Sequence, residues 1–253
     1  MSDSEKLPPT FGLKDVFTGI NLVGGVLAIV FCIQGRIDYA AYAFLLGYVC
    51  GDSLDGFVAR LTNSSNKFGG EFDSISDHVA QCVAPAAIIF TFYREMNPYL
   101  AGALAAILVV SGSIRHARAA TVAVNFPGAY MGLPRTISSF LIISYLSSGL
   151  LVHVPGGRWI GIVMIVLFSA ANLLPLPFRT HKSGQKFFEK MLAAGFFSMT
   201  ILALVFIRPY TFDIVFAWIL IYALFSSMAL EPHERRAFFA RAREWAYEVR
   251  RAR

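Results

Sequence analysis

Charge is scarce in this chain. Of its 253 residues only 15% are Asp, Glu, Lys or Arg, while 56% are hydrophobic; a soluble globular protein carries about 25% charged residues. Apolar runs of about 18 residues or more, each long enough to cross a hydrocarbon core of about 30 Å as a helix, recur along the sequence. That pattern excludes an ordinary soluble domain. Cysteine is scarce as well. Cys32, Cys50 and Cys82 each lie inside an apolar segment, with no two at metal-ligand spacing. Neither a disulfide framework nor a zinc site is supported, and three buried thiols are expected. Asp3, Glu5 and Lys6 precede every apolar run and no short apolar stretch with a cleavage site follows, so no removable signal peptide is expected.

What is present reads as an all-α, polytopic membrane helical bundle of about eight transmembrane helices, its active site at the cytoplasmic side. The expected spans are residues 17–34, 39–60, 70–93, 98–122, 132–153, 159–177, 190–207 and 211–230, joined by short connections rich in Gly, Pro and Asn. An even number of spans puts both termini on one side. Eighteen of the 22 Lys and Arg residues then fall on that side, and Arg36, Arg94, Arg158 and Arg208 fall on the other. Positive charge stays inside, so both termini are expected in the cytoplasm. Residues 1–230 form the membrane domain on this reading. Residues 231–253 form a basic amphipathic tail with Phe238, Phe239, Trp245 and Tyr247 among its arginines, suited to an anionic leaflet or simply to solvent.

The acid that remains is concentrated. Asp52, Asp55, Asp73 and Asp77 sit near the cytoplasmic ends of two consecutive spans, and beyond them only Asp213 is an aspartate. Ionisable residues at membrane depth cost about 2.5–3.5 kcal/mol on insertion scales and mark function. The spacings of three and four residues place each pair on one helical face, and a hairpin brings the faces together. Four carboxylates at close range need a compensating cation. The oxygen-rich set suits one or two hard divalent ions, Mg2+ or Mn2+. His78 adjoins Asp77 but projects from a different helix face and is read as structural. Gly56 and Gly69 flank the connection on the side expected to face the cation pocket, where a missing side chain lets a ligand approach the backbone. Arg60, one turn beyond Gly56, would meet an anion. Together these point to a diphosphate ligand.

Residues 52–77 read D-S-L-D-G-F-V-A-R, eight residues, then G-G-E-F-D-S-I-S-D. This resembles the D-x2-D-G-x2-A-R-x8-G-x3-D-x3-D motif of the CDP-alcohol phosphatidyltransferases at every fixed position. The following segment, F-D-S-I-S-D-H-V-A-Q-C-V-A-P-A, resembles the phosphatidylserine (or archaetidylserine) synthase branch, as do T-x2-N at Thr18 and Asn21 and G-L-P at Gly132 to Pro134. The resemblance implies transfer of a phosphatidyl group from CDP-diacylglycerol or a related CDP-lipid to a small polar alcohol, with release of CMP. It implies two metal ions on Asp52, Asp55, Asp73 and Asp77, with Asp77 also the catalytic base. It implies donor contacts from Gly56, Ala59, Arg60, Asn66 and Gly69, and a homodimer among membrane lipids; nothing points to nucleic acid.

The acceptor side departs from that branch. Its R-x2-R-F-N stretch stands here as R-H-A-R-A-A from Arg115, and its G-L-P-I-P as G-L-P-R-T. Arg115, Arg118 and Arg135 are the candidate acceptor-binding residues, suited to the carboxylate of serine or to the phosphate of inositol phosphate or glycerol phosphate. Serine is preferred on the segment after the motif. They could instead serve only as topological charges. Two other classes compete. An aspartate-rich prenyltransferase needs a second acidic cluster, which Asp213 alone does not supply. A transporter with an acidic ion site does not require Gly-x2-Ala-Arg beside the acids.

Overall fold

The structure, a computed structural model, describes residues 11–55, 58, 66–121, 129–179, 187–228 and 232–251. Helix α1 (Leu13–Ile33) runs into α2 (Ile37–Gly47), which opens into a π turn at Tyr48–Asp52. Helix α3 (Lys67–His78) passes through a second π turn (Val79–Val83) into α4 (Ala84–Tyr93), and α5 spans Pro98–Thr121. Next along the chain are strand β1 (Ala129–Met131), α6 (Arg135–Leu146), α7 (Gly157–Leu173), strand β2 (Pro177–Arg179), α8 (Phe187–Phe206), α9 (Thr211–Met228) and α10 (Pro232–Arg251). The architecture is helical apart from the β1–β2 ribbon, antiparallel with Tyr130 opposite Phe178.

The chain divides into two compact units, residues 1–105 and 106–253. In the first, α1 is inverted relative to a helix of a soluble protein. Its buried face carries Lys14, Asp15, Thr18, Asn21, Gly24, Gly25, Ala28 and Cys32, while Val16, Val23, Val26, Leu27 and Val30 are exposed. Apolar side chains outward and polar ones inward is the pattern of a helix whose surroundings are lipid. Small residues let its neighbours approach closely. A Cβ on Gly24 would lie 2.5 Å from the Cα of Gly47 on α2, and one on Gly25 would lie 2.8 Å from the Cα of Ala80. Backbones this near gain dispersion contacts that lipid tails cannot supply.

In the second unit α6 is the central element. Every residue from Ile137 to Leu146 is buried, against α7 and α9. Helix α7 turns Gly161, Ile165, Ser169 and Asn172 inward and Trp159, Val163 and Leu167 outward, the spacing of one buried stripe on a 3.6-residue period. Asp213, in the first turn of α9, organises the loop after α6. It accepts from Ser148 Oγ and from the N–H groups of Gly149 and Leu150, both at 3.2 Å.

Eight spans were expected; among the described residues four segments are long and apolar enough to cross a membrane: Leu13–Ile33, Lys67–Tyr93, Pro98–Ala120 and Arg208–Phe225. Arg135–Leu146, Gly157–Leu173 and Gly195–Phe206 are apolar but shorter. At about 1.5 Å per residue, α6 extends about 18 Å, well short of a hydrocarbon core. The chain is thus an integral membrane protein by its long apolar helices. In the tail, α10 buries Phe238 and Ala242 and exposes Arg235, Arg236, Arg241 and Arg243. One thiol departs from expectation. Cys32 and Cys82 are buried, but Cys50 is exposed. Its apolar setting in the sequence does not separate a lipid-facing position from an interior one.

Candidate active site

The two π turns bracket the acidic cluster. A π turn closes i→i+5 rather than i→i+4, so it accommodates one extra residue and rotates the helix beyond it. Asp52 closes the first, with Asp55 in the helical turn just beyond; Asp73 and Asp77 lie on α3 just before the second. Asp52, Asp55 and Asp73 each offer a carboxylate oxygen, and these oxygens lie within 4.8 Å of one another. Asp52 interacts electrostatically with Asp77, Asp55 and Asp73, and Asp73 with Asp77 and Asp55. The structure thus brings Asp52, Asp55 and Asp73 together, with Asp77 in electrostatic contact with Asp52 and Asp73.

Helix α1 supplies the partners that hold them. Thr18 Oγ1 donates to Asp55 Oδ2 at 2.9 Å, and Asn21 Nδ2 donates to Asp77 Oδ1 at 3.1 Å. Gln81, inside the second π turn and one helical turn past Asp77, donates its Nε2 to the same oxygen at 2.8 Å. Asn21 reaches Asp77 because Gly51 lets α1 lie on the first π turn: a Cβ there would stand 2.7 Å from Asn21 Cβ and 2.8 Å from its Cα. Thr18 and Asn21 were legible only through the T-x2-N resemblance. Gln81 was missed, although its i+4 spacing from Asp77 was available as a signal.

This donor set fits a hard divalent cation. It offers several carboxylate oxygens and no thiolate. Their mutual approach is costly unless positive charge is shared among them. Amide and hydroxyl donors orient individual oxygens, as outer partners of metal ligands do.

The donor-side residues are placed in part. Gly56, Ala59 and Arg60 lie outside the described residues. Asn66 caps α3, its Oδ1 accepting the Gly69 N–H at 2.6 Å, which satisfies one of the orphan donors of the first turn. Gly69 is buried, and its open face is turned to α1: a Cβ would meet Lys14 Nζ at 2.5 Å and Asp15 Oδ1 at 2.6 Å. On the acceptor side, Arg118 donates to the carbonyls of Leu173 at 2.9 Å, Asn172 at 3.1 Å and Met131 at 3.3 Å. Its guanidinium thus closes the last turn of α7, where helical carbonyls have no partner of their own. Gly132 sits beside it with φ of 81°, a left-handed conformation that a side chain would strain. Arg115 is half-buried on α5, and Arg135, 7% exposed, opens α6.

Carboxylates gathered beside long apolar helices make an acidic group able to hold a metal ion in a membrane protein. The model of the CDP-alcohol phosphatidyltransferase family matches residues 12–174, and the chain belongs to that family. It is therefore a transferase working with a CDP-linked lipid and an alcohol. It is 29% identical over 208 residues to the CDP-diacylglycerol–serine O-phosphatidyltransferase of Helicobacter pylori strain J99, covering 79% of this chain and 84% of that protein. It is 32% identical over 155 residues to the protein of the same name from Methanocaldococcus jannaschii, covering 60% and 70%. It is 30% identical over 151 residues to the archaetidylserine synthase of Methanothermobacter thermautotrophicus, covering 59% and 64%.

Proposed function

We propose that the protein transfers a phosphatidyl group from CDP-diacylglycerol, or a related CDP-lipid, to the hydroxyl of L-serine, releasing CMP. The observation that carries this reading is the convergence of Asp52, Asp55 and Asp73 around one point, with Asp77 oriented beside them by Asn21 and Gln81. The names of the relatives favour serine as acceptor.

Asp52, Asp55, Asp73 and Asp77 would hold two Mg2+ or Mn2+ ions, which when bound neutralise the diphosphate and polarise the attacked phosphorus. Asp77 takes the proton from the serine hydroxyl. Two amide N–H groups fix its Oδ1, so the carboxylate does not rotate away from the acceptor. The hydroxyl oxygen forms the new bond to the lipid-bearing phosphorus, the diphosphate P–O bond breaks, and CMP departs with its electron pair. Gly56, Ala59, Arg60, Asn66 and Gly69 line the donor side. Arg115 and Arg135 bind the serine carboxylate, while Arg118, through its three carbonyls, fixes the end of α7 and the β1–α6 turn. The protein works in this reading as a homodimer of eight-span subunits, both termini and the active site cytoplasmic, the basic α10 helix on the inner leaflet.

Arg115 and Arg135 also suit a phosphorylated acceptor, inositol phosphate or glycerol phosphate. Purified protein with Mn2+ and CDP-diacylglycerol, offered each acceptor in turn, decides between them. CMP release and product mass with serine are expected. Release with a phosphorylated acceptor and none with serine would overturn the choice of acceptor. Metal-independent release, or full activity in Asp77→Asn, would overturn the mechanism.

A further inference from the structure

The polar stripe of α1 has a third member. Thr18 serves Asp55 and Asn21 serves Asp77; Lys14, one turn before Thr18 on the same face, acts electrostatically on Asp73. Its residue is 8% exposed. An ammonium carries three donors. Among the described residues those donors meet one carboxylate oxygen, Asp15 Oδ1, at 3.4 Å, longer than the 2.7–2.9 Å usual for such pairs. Asp15 is held in place in turn. It is fully buried, and its Oδ2 accepts the Gly12 N–H at 2.7 Å. Opposite lies the bare Cα of Gly69, where any side chain would collide with the Lys14 ammonium.

A buried, under-coordinated cation at the edge of a carboxylate cluster has two opposed effects. It lowers the affinity of the cluster for a bare divalent ion, because like charges repel. It raises the affinity for an anion that joins the ion there. We propose that Lys14 is a donor-binding residue that receives a phosphate oxygen of the CDP-lipid diphosphate, with Gly69 kept bare to seat its ammonium. This rests on the proposed CDP-lipid donor. Lys14 thereby couples the diphosphate to the metal: each binds more tightly when the other is present, and the coupling is reciprocal.

The test compares the wild type with Lys14→Met in the full-length, detergent-purified protein, measuring affinity for CDP, for cytidine and for Mn2+ with and without CDP. Lys14→Met is expected to weaken CDP about tenfold, to leave cytidine unchanged, and to bind Mn2+ alone as tightly as the wild type or more so. The gain in Mn2+ affinity brought by CDP should shrink. Unchanged CDP affinity, or a parallel loss for CDP, cytidine and Mn2+, would overturn the proposal and assign Lys14 to structure. Should Lys14→Met not fold, Asp15→Asn asks the same question. It keeps an acceptor for the Gly12 N–H and removes the competing charge, so CDP should bind about threefold more tightly; equal or weaker binding counts against the proposal. A wild-type protein that binds Mn2+ but not CDP refutes the donor reading and the Lys14 proposal with it. Wild-type CDP binding that Lys14→Met leaves intact refutes only the latter.

Discussion

Removing the two amides that hold Asp77 tests the site at its most specific point. Asn21→Leu and Gln81→Met keep side-chain volume while deleting the donors at 3.1 and 2.8 Å from Asp77 Oδ1. Both positions are 2% exposed, so water does not readily replace the lost partner. A hydrogen bond to a charged group contributes about 1.5–3 kcal/mol, and 1.4 kcal/mol is about a factor of ten. Asn21→Leu, losing the longer bond, is expected to raise the Mn2+ concentration for half-maximal CMP release about tenfold. Gln81→Met should raise it between about ten- and one-hundredfold, the range seen when outer partners of metal ligands are removed. Both donors act on one oxygen, so the effects couple. A single variant retains one tether and the double variant none, so the double loss should exceed the product of the single losses. Mn2+ binding measured by electron paramagnetic resonance gives the same ranking without relying on turnover. A double variant with wild-type Mn2+ affinity would refute the claim that these amides orient Asp77.

Other substitutions probe how the site is supported. Gly51→Ala forces α1 off the first π turn and should cost about 1–3 kcal/mol of stability together with most of the CMP release, whereas Gly19→Ala, with nothing within 4 Å of the new Cβ, should cost neither; thermal denaturation and CMP assay of the pair check this. Arg118→Lys cannot reach the carbonyls of Leu173, Asn172 and Met131 at once, and should lower the melting temperature by several degrees, about 2 kcal/mol; unchanged stability would show that those hydrogen bonds do not matter. Asp213→Ala releases Ser148, Gly149 and Leu150 and should speed amide exchange across residues 148–151 while leaving CMP release near the wild-type level. Unaltered exchange protection would refute the anchoring role.

The sequence by itself determined the lipid habitat, the helical class and the four aspartates. Each depends on properties that act along the chain: an apolar run must cross a fixed thickness, and spacings of three and four residues share a helix face whatever lies opposite. The span expected at residues 70–93 is accordingly found as Lys67–Tyr93. Tertiary structure decided the rest. A single extra residue in a turn does not disturb hydropathy, so neither π turn was legible, although Asp52 and Gln81 lie within them. Hydropathy is equally blind to whether an apolar position is exposed or buried in the fold, so it did not separate Cys50, which is exposed, from Cys82, which is buried. Gly69 and Arg118 make the same point at the level of atoms. A motif glycine expected to face the cation pocket turns its bare side to Lys14, and an arginine read as a candidate acceptor-binding residue closes a helix end. What these side chains meet is fixed by the elements packed against them, and those lie far away along the chain.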